Sequence, residues 1–369
     1  MDLSSLFIFV SCQPGAEAAL KEEVAREHPR LRFAFSRTGL ITFKESQGRP
    51  ISSDFQLSSV FARAYGLSLG QCKSPDSLLE AVKYAQDLFV ASGKAPLRLH
   101  VWERSEFVPG EEPVGFQAGI RAARIESQLR ADASGIFHSD VEAQEGELVF
   151  DVIVLDSSEE PSLFVGFHRH GMNHQSWPGG EIPVSCPDSA PSRAFLKIEQ
   201  AIRWGRLPVA SGEVAVELGS APGGASYALL LRGLEVWGID PGAMSPVVWT
   251  DPRCEKRFHH VKKTFSDLTR EDLPESAHWI ILDINGPARV SLPYVESLVS
   301  WFKRDLLGVV LTIKLNDPKH SRHIPEWTER ISELGLRQVR ARQLPSNKRE
   351  ICVVGLTGRG LLRLQKRSS

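Results

Sequence analysis

The sequence has no long apolar run. Across its 369 residues no segment reaches the roughly 20 consecutive apolar residues that a membrane-spanning helix needs. The apolar stretch 6–10 is short and no basic residues precede it, so it lacks the pattern of a secretory signal peptide. We therefore expect a cytoplasmic protein that has no membrane partner.

Cysteine is scarce and scattered. None of the five cysteines belongs to a C-x-x-C pair: Cys12, Cys72, Cys186, Cys254 and Cys352. An odd and widely spaced set argues against both a disulfide framework and a zinc knuckle. We expect free thiols in a reducing compartment.

An excess of positive charge is also absent. Lys and Arg number 44 against 45 Asp and Glu, which leaves a net charge of −1. A nucleic-acid-binding protein of this composition must concentrate its basic residues on one local face. The 42% hydrophobic content is typical of a globular protein, and the length predicts two or three domains.

The N-terminal half predicts two small α+β modules, at 1–73 and 74–172. The apolar patterns that support them predict strands at 6–11, 31–35, 40–43, 97–102, 148–154 and 163–167, and helices at 16–26, 76–91 and 116–130. Residues 173–191 are rich in Pro, Gly and Ser and have no periodicity, which predicts a connector.

In the third predicted domain, 192–369, strands and helices alternate. The strands are predicted at 214–218, 234–239, 261–265, 279–282, 308–313, 337–342 and 351–355, and the helices at 223–232, 290–304 and 326–334. Such alternation predicts an open, doubly wound parallel sheet of the Rossmann-like α/β class. Ligands of these sheets bind at the carboxyl ends of the strands, so functional residues are expected there.

A glycine-rich loop follows the first strand of that domain and reads ELGSAPGG over residues 217–224. Its glycines permit a tight turn and a close approach of a ligand beside the next helix N-terminus. It is neither a P-loop nor a G-x-G-x-x-G fingerprint, because no Gly-Lys-Ser/Thr follows and Pro222 interrupts the spacing. A lone turn of this kind is often only structural.

Acidic residues end the next three predicted strands: Asp240, Asp267 and Asp283. A carboxylate after the second strand can accept hydrogen bonds from both hydroxyls of an adenosine ribose, and one after the third can accept from an adenine amino group. Each residue alone is more often a helix cap. Their recurrence after successive strands favours a nucleotide-type ligand.

Five segments together resemble the FtsJ-like ribose 2′-O-methyltransferases. They are SRAFLKIE at 192–199, ELGSAPGG at 217–224, ILDING at 281–286, LTIKL at 311–315 and KREICVV at 348–354. The resemblance implies S-adenosylmethionine as cofactor and RNA as substrate, with a catalytic tetrad of Lys197, Asp283, Lys314 and Glu350. It also implies cofactor contacts from Gly219, Ala221, Pro222, Gly223, Gly224, Asp240, Asp267 and Asp283.

The resemblance implies more about the substrate and about the N-terminal half. The most similar branch of the family acts on bacterial 23S ribosomal RNA, which implies that a cytidine of that RNA, free or in a large-subunit assembly intermediate, is methylated. The weaker likeness of the N-terminal half implies a ferredoxin-like module at 1–73 and a THUMP-like RNA-binding module at 74–172, ahead of a methyltransferase domain at 192–369.

The tetrad suits the chemistry that the resemblance implies. A ribose hydroxyl is a poor nucleophile at neutral pH and needs deprotonation and a stabilised oxyanion. We assign Lys314 as general base and Lys197 as the neighbouring positive charge, with Asp283 and Glu350 holding the two amines. The alternative for the two lysines is that they are ordinary surface residues.

The chain departs from the family pattern at three positions. Glu217 and Ala225 occupy positions where the family commonly has Asp and Trp, and Ala194 occupies that of a serine. The alanines predict a cofactor pocket without one aromatic wall and without one side-chain contact.

Basic residues of the C-terminal stretch predict an RNA-binding face next to the tetrad. The candidates are Arg193, Arg340, Arg342, Lys348 and Arg349, with further basic residues at 337, 359, 363, 366 and 367. Phosphate contacts through such a face depend on salt concentration. A solvated charged surface is the alternative.

Three histidines, His168, His170 and His174, lie close in sequence, with Cys186 farther on. Because they span a strand end and an irregular segment without a second ligand pair, we predict no metal site. Two alternatives to the main functional prediction stay open: methylation of another RNA, such as tRNA, and a non-catalytic RNA-binding or ribosome-assembly factor that retains the fold.

Overall fold

The computed structural model describes residues 4–72, 75–90, 97–113, 118–158, 160–254 and 256–368. The chain divides into two compact units, Met1–Ile182 (unit 1) and Pro183–Ser369 (unit 2). The division falls inside the predicted connector 173–191. In the described part of the chain no helix combines the length and the apolar character needed to cross a membrane.

Unit 1 contains nine strands and three helices among its described residues. The strands are β1 (Ser4–Ser5), β2 (Phe7–Ser11), β3 (Leu31–Arg37), β4 (Leu40–Glu45), β5 (Ile51–Ser52), β6 (Tyr65–Cys72), β7 (Arg98–Glu103), β8 (Leu148–Val154) and β9 (Leu163–Arg169). The helices are α1 (Glu17–Glu27), α2 (Pro75–Val90) and α3 (Ile120–Asp132).

One seven-stranded sheet runs through unit 1 in the order β3-β4-β2-β6-β9-β8-β7. All neighbours in it are antiparallel except β7 and β8. The pairing of β6 with β9 joins the two predicted modules in a single sheet. The ferredoxin-like and THUMP-like modules with a boundary at 73/74 therefore stay predictions. Strand β8 is buried along its whole length, which places the core of unit 1 around it.

Unit 2 contains seven strands and six helices among its described residues. The strands are β10 (Val214–Leu218), β11 (Glu235–Ile239), β12 (Phe258–Val261), β13 (Trp279–Leu282), β14 (Gly308–Lys314), β15 (Arg337–Arg342) and β16 (Glu350–Leu356). The helices are α4 (Ala194–Gly205), α5 (Gly224–Leu231), α6 (Val247–Thr250), α7 (Ala288–Phe302), α8 (Ile324–Glu333) and α9 (Gly358–Ser368).

The sheet of unit 2 has the order β12-β11-β10-β13-β14-β16-β15. Strands β10 to β14 are parallel, as predicted, whereas β16 runs antiparallel to both β14 and β15. The predicted doubly wound parallel sheet is therefore confirmed for β10 to β14, and it differs from the prediction at the edge formed by β16 and β15. Chain order reverses between β10 and β13, so the ends of these two central strands form the crevice in which Rossmann-like α/β folds bind ligands.

Several element predictions differ from the structure. The strand predicted at 261–265 lies at Phe258–Val261, where two histidines interrupt the apolar pattern. Strand β6 and helices α4 and α9 were not predicted. Two glycines interrupt the apolar pattern of β6, whereas α4 and α9 are amphipathic and were overlooked. The helix predicted at 116–130 begins at Ile120 in the structure, and its first two predicted residues lie outside the described residues.

Candidate active site

Four charged residues meet at the edge of the unit 2 sheet where the parallel strands end. Asp283 directly follows β13, Lys314 is the last residue of β14, and Glu350 is the first residue of β16. Because β16 is antiparallel to β14, its first residue lies opposite the last residue of β14, and Lys314 pairs in register with Glu350. Lys197 comes from α4.

The four side chains form a closed ring of alternating charge, which we call the charged ring (Lys197, Asp283, Lys314 and Glu350). Lys197 Nζ lies 3.1 Å from Asp283 Oδ2 and 2.9 Å from Glu350 Oε1. Lys314 Nζ lies 3.4 Å from an oxygen of each of the same two carboxylates. The side chains are 8–16% exposed. Each ammonium group therefore contacts both carboxylates away from bulk water.

The charged ring shifts the pKa values of two of its members, Lys197 and Glu350. Burial lowers the pKa of Lys197, but the charges of Asp283 and Glu350 and hydrogen bonds to both raise it by more, so it lies above the ordinary value for lysine. Burial raises the pKa of Glu350, but the Lys197 and Lys314 charges lower it by more, so the net direction is downward. At neutral pH Lys197 is thus an ammonium and Glu350 a carboxylate.

The glycine-rich loop lies between β10 and α5, next to the charged ring. Gly219 has a φ of +83°, and a Cβ there would lie 2.5 Å from the carbonyl oxygen of Asp283. Gly223 has a φ of +111° and precedes the first residue of α5. Only glycine fits these two positions without strain. The close approach of the loop to Asp283 confines the loop to the crevice beside the charged ring.

Asp240 follows β11 and is tied to the same loop. Its Oδ2 accepts a hydrogen bond of 3.2 Å from the Ala221 N–H, and its Oδ1 accepts one of 2.7 Å from the Gly242 N–H. Pro222 is joined to Ala221 by a cis peptide bond, and Gly224 begins α5. The structure thus brings together the loop and the acid that the sequence predicts.

Asp267 differs from its predicted position. It lies in a short 3-10 helix (Phe265–Asp267), six residues after the end of β12, and it is exposed. Its Oδ2 accepts a hydrogen bond of 2.6 Å from the Thr264 hydroxyl. The prediction that Asp267 ends a strand was wrong, since the strand ends at Val261.

The three departures from the family pattern lie inside the domain. Glu217 is 1% exposed in β10, and burial raises its pKa to about 8, while the Ser226 hydroxyl donates a hydrogen bond to it. Ala194 and Ala225 line a cavity of about 10 Å³ together with Lys197 and Asp283. The alanines therefore face a water-sized space beside the charged ring. The cofactor pocket without one aromatic wall and one side-chain contact stays a prediction.

The predicted basic face does not form one solvated surface. Arg342 is only 7% exposed, which contradicts its assignment to a phosphate-binding surface. Arg193 donates a hydrogen bond of 2.6 Å to the Ser346 carbonyl, and Arg340 donates one of 3.0 Å to the Gly205 carbonyl. Arg349 is exposed and Lys348 is half-buried, and they immediately precede Glu350. Arg340 is also exposed, so the assignment of Arg193, Arg340, Lys348 and Arg349 to RNA stays a prediction.

A groove next to Lys314 was missed by the sequence analysis. It has a volume of about 400 Å³, and its lining residues are Pro287, Ala288, Arg289, His320, His323, Glu326 and Trp327. Pro287 pairs with Lys314 through an isolated parallel bridge, which sets the groove beside the charged ring. The Trp327 and His323 rings stack with centroids 6.1 Å apart. Trp327 is half-buried.

Comparison with known proteins relates part of unit 2 to one family. Residues 190–316 match the FtsJ-like methyltransferase family, and they include the glycine-rich loop and three members of the charged ring. This part of the chain is therefore similar to FtsJ-like methyltransferases.

Two individual relatives carry the same name and show which members of the family resemble the chain. The ribosomal RNA large subunit methyltransferase M of Pectobacterium carotovorum is 29% identical over 202 residues, which are 52% of this chain and 52% of that protein. The chain thus spans about half the length of such curated relatives. The protein of the same name from Salmonella arizonae is 25% identical over 375 residues, which cover 94% of this chain and 95% of that protein.

A solved structure, TrmN from Thermus thermophilus, covers 95% of this chain and 99% of its own length at 15% identity and a TM-score of 0.34. That score is too low to define the fold, which is defined here by the strand order.

Proposed function

We propose that the chain is an S-adenosylmethionine-dependent RNA methyltransferase that modifies a ribose 2′-hydroxyl. The observation that carries this proposal is the charged ring, in which two amines and two carboxylates from four separate elements meet beside the glycine-rich loop. Such a ring has the groups needed to take a proton from an alcohol and to stabilise the oxyanion that results.

The residues around the loop fit S-adenosylmethionine, which supplies an electrophilic methyl group when bound. The tight turn at Gly219 packs the loop against the backbone of Asp283 in the crevice, and Asp240 stands where a ribose would be held. Each oxygen of Asp240 accepts one backbone hydrogen bond and keeps a lone pair for a hydroxyl. The exposed Asp267 would contact the adenine.

In the proposed mechanism the charged ring acts on the acceptor hydroxyl. Lys314 is the base: it first releases a proton to solvent and then, as a neutral amine, takes the proton of the hydroxyl. It is assigned this role because its amine lies farther from the carboxylates, at 3.4 Å, than that of Lys197. Lys197 keeps its proton and its positive charge stabilises the developing oxyanion. Asp283 and Glu350 hold both amines in position.

The acceptor nucleotide would enter through the groove beside Lys314. Its stacked Trp327 and His323 rings suit a nucleobase, and Arg289 at its edge suits a phosphate. Relatives named as ribosomal RNA large subunit methyltransferases support large-subunit ribosomal RNA as the substrate. Within it we propose a cytidine of 23S ribosomal RNA, as the resemblance of the sequence implies. The five free cysteines agree with action in the cytoplasm. The N-terminal half would serve RNA binding.

The test uses the full chain, S-adenosylmethionine labelled in its methyl group, and 23S rRNA from cells that lack the gene. We expect label at one ribose 2′-oxygen with the native chain and no label with Lys314→Met. The control is Lys303→Met, which changes an exposed lysine at the end of α7 and should leave transfer intact.

Two other outcomes would favour the alternatives. Label in tRNA with none in 23S rRNA would identify another RNA as substrate. Tight RNA binding by the native chain without any methyl transfer would favour a non-catalytic assembly factor.

A further inference from the structure

Unit 1 contains three buried histidines that the proposed methyl transfer does not use, and we name them the histidine cluster (His168, His170 and His174). They are 4%, 6% and 9% exposed. A potential ligand atom of each lies within 4.8 Å of those of the other two. His168 is in β9, and a turn closed by the hydrogen bond from His174 N–H to the Gly171 carbonyl brings His174 back beside it.

Asp151 sets the ring orientation of His168. The Nδ1 of His168 lies 2.7 Å from Asp151 Oδ2, and Asp151 is fully buried in β8. With its proton on Nδ1 the ring donates to the carboxylate and exposes the lone pair of Nε2. That Nε2 is buried and accepts no hydrogen bond from any described residue. A carboxylate behind a histidine whose other nitrogen is free to coordinate is the arrangement that supports metal-binding histidines.

The surroundings of Asp151 also favour a bound cation. Among the described residues its ion-pair partners are His168 and His100, the latter at 3.9 Å, with no lysine or arginine. A buried carboxylate needs a neighbouring positive charge. A divalent cation bound to His168 would provide it.

We propose that the histidine cluster binds a divalent transition-metal ion, with Asp151 as a positioning residue. Imidazole nitrogens without a carboxylate ligand suit Zn²⁺ and Co²⁺ and do not suit Mg²⁺ or Ca²⁺. Three protein ligands leave a fourth position for water. The ion would pin the turn that follows β9 to the core of unit 1.

Binding requires a small contraction of the cluster. Zn–N bonds of about 2.0 Å in a tetrahedral site bring ligand nitrogens to roughly 3.3 Å from one another. The His168 and His174 rings, now stacked at 4.2 Å with an interplanar angle of 11°, would have to turn apart. We therefore expect micromolar affinity, weaker than that of a preformed zinc site.

The experiment uses the full chain after removal of any polyhistidine tag and dialysis against a chelator. Co²⁺ is titrated while its visible absorption is recorded, and Zn²⁺ retained after gel filtration is measured by mass spectrometry. We expect about one equivalent of either ion. His168→Gln should weaken binding by at least tenfold, and Asp151→Asn by about tenfold.

The control is His138→Gln, which removes a half-exposed histidine of unit 1 outside the cluster and should bind as the native chain does. Circular dichroism of each variant separates loss of the site from loss of the fold. If His168→Gln unfolds the unit, the comparison rests on Asp151→Asn and on the rise in the thermal midpoint of the native chain with Zn²⁺. Absence of bound metal in the native chain, or equal binding by a folded cluster variant, would overturn the proposal.

Discussion

The charged ring of unit 2 and the histidine cluster of unit 1 solve the burial of polar groups in different ways. In the ring each ammonium contacts two carboxylates, so charge is balanced inside the protein. In the cluster the imidazoles are almost fully buried, and among the described residues the carboxylate next to them has histidines as its ion-pair partners. The carboxylates of the ring each contact two amines, whereas Asp151 contacts no lysine or arginine in the described part of the chain.

This difference explains why the two regions suit different chemistry. A balanced ring fixes the protonation state of Lys197 and Glu350, which is what a proton-transfer site needs. Three buried imidazoles with a carboxylate behind one of them are an arrangement that suits a transition-metal cation. Changes confined to one region should therefore leave the other unaffected.

The largest effect is expected when the Lys314 amine is removed from the charged ring. Lys314→Met should lower kcat/KM for methyl transfer by about 10²–10⁴-fold, because the general base acts in the transition state. Cofactor binding, followed by calorimetry, should change little. Co²⁺ binding by unit 1 should be unaltered. Full turnover in this variant would remove Lys314 from the proposed mechanism.

Removing the acid at the end of β11 separates cofactor binding from RNA binding. Asp240→Ala should weaken S-adenosylmethionine binding by about 10–100-fold, because it deletes a charged acceptor of ribose hydroxyls. RNA affinity, measured by filter binding, should stay within about twofold. The matched control is Asp188→Ala, at an exposed aspartate of the same unit. Equal losses for both ligands would contradict the assignment.

A substitution in the groove tests whether RNA binding extends beyond the charged ring. Trp327→Ala should raise KM for RNA by about 5–50-fold with a smaller change in kcat, because stacking on a base contributes about 1–3 kcal/mol. Trp301→Ala serves as control, since it removes a tryptophan of α7 that is 37% exposed and does not line the groove. An identical KM in both variants would argue against base binding in the groove.

Substitution of Glu217 is expected to have the smallest effect on activity. Glu217 is a buried carboxyl with no ion-pair partner among the described residues. Its pKa of about 8 in the folded protein lies above the ordinary 4.5, so it contributes most to stability below about pH 4.5, and that contribution is lost as pH rises towards 8. Glu217→Gln should remove this decline in the free energy of unfolding between pH 5 and pH 8.

Urea unfolding at the two pH values measures that decline. Glu329→Gln, at an exposed glutamate of α8, should keep the native dependence. A decline of the same size in the Glu217 variant would mean that this carboxyl is ionised in the folded protein.

Much of unit 2 was predictable because its signals are local. The alternation of strands and helices predicted the parallel strands β10, β11, β13 and β14, and the glycine-rich loop was expected after the first of them. The strand at 261–265 was misplaced because His259 and His260 hide the apolar pattern of β12. The antiparallel direction of β16 carries no local signal, since strand direction depends on the connection and not on composition.

By itself the sequence determined which residues are available to the site: motif likeness selected the four members of the charged ring, and strand ends selected Asp240. Only the tertiary structure decided how they meet, that Arg342 is buried, that a groove opens beside Lys314 and that three histidines converge behind Asp151. The physical reason is that burial and distance arise from packing between residues far apart in the chain. Local composition and periodicity contain no information about either.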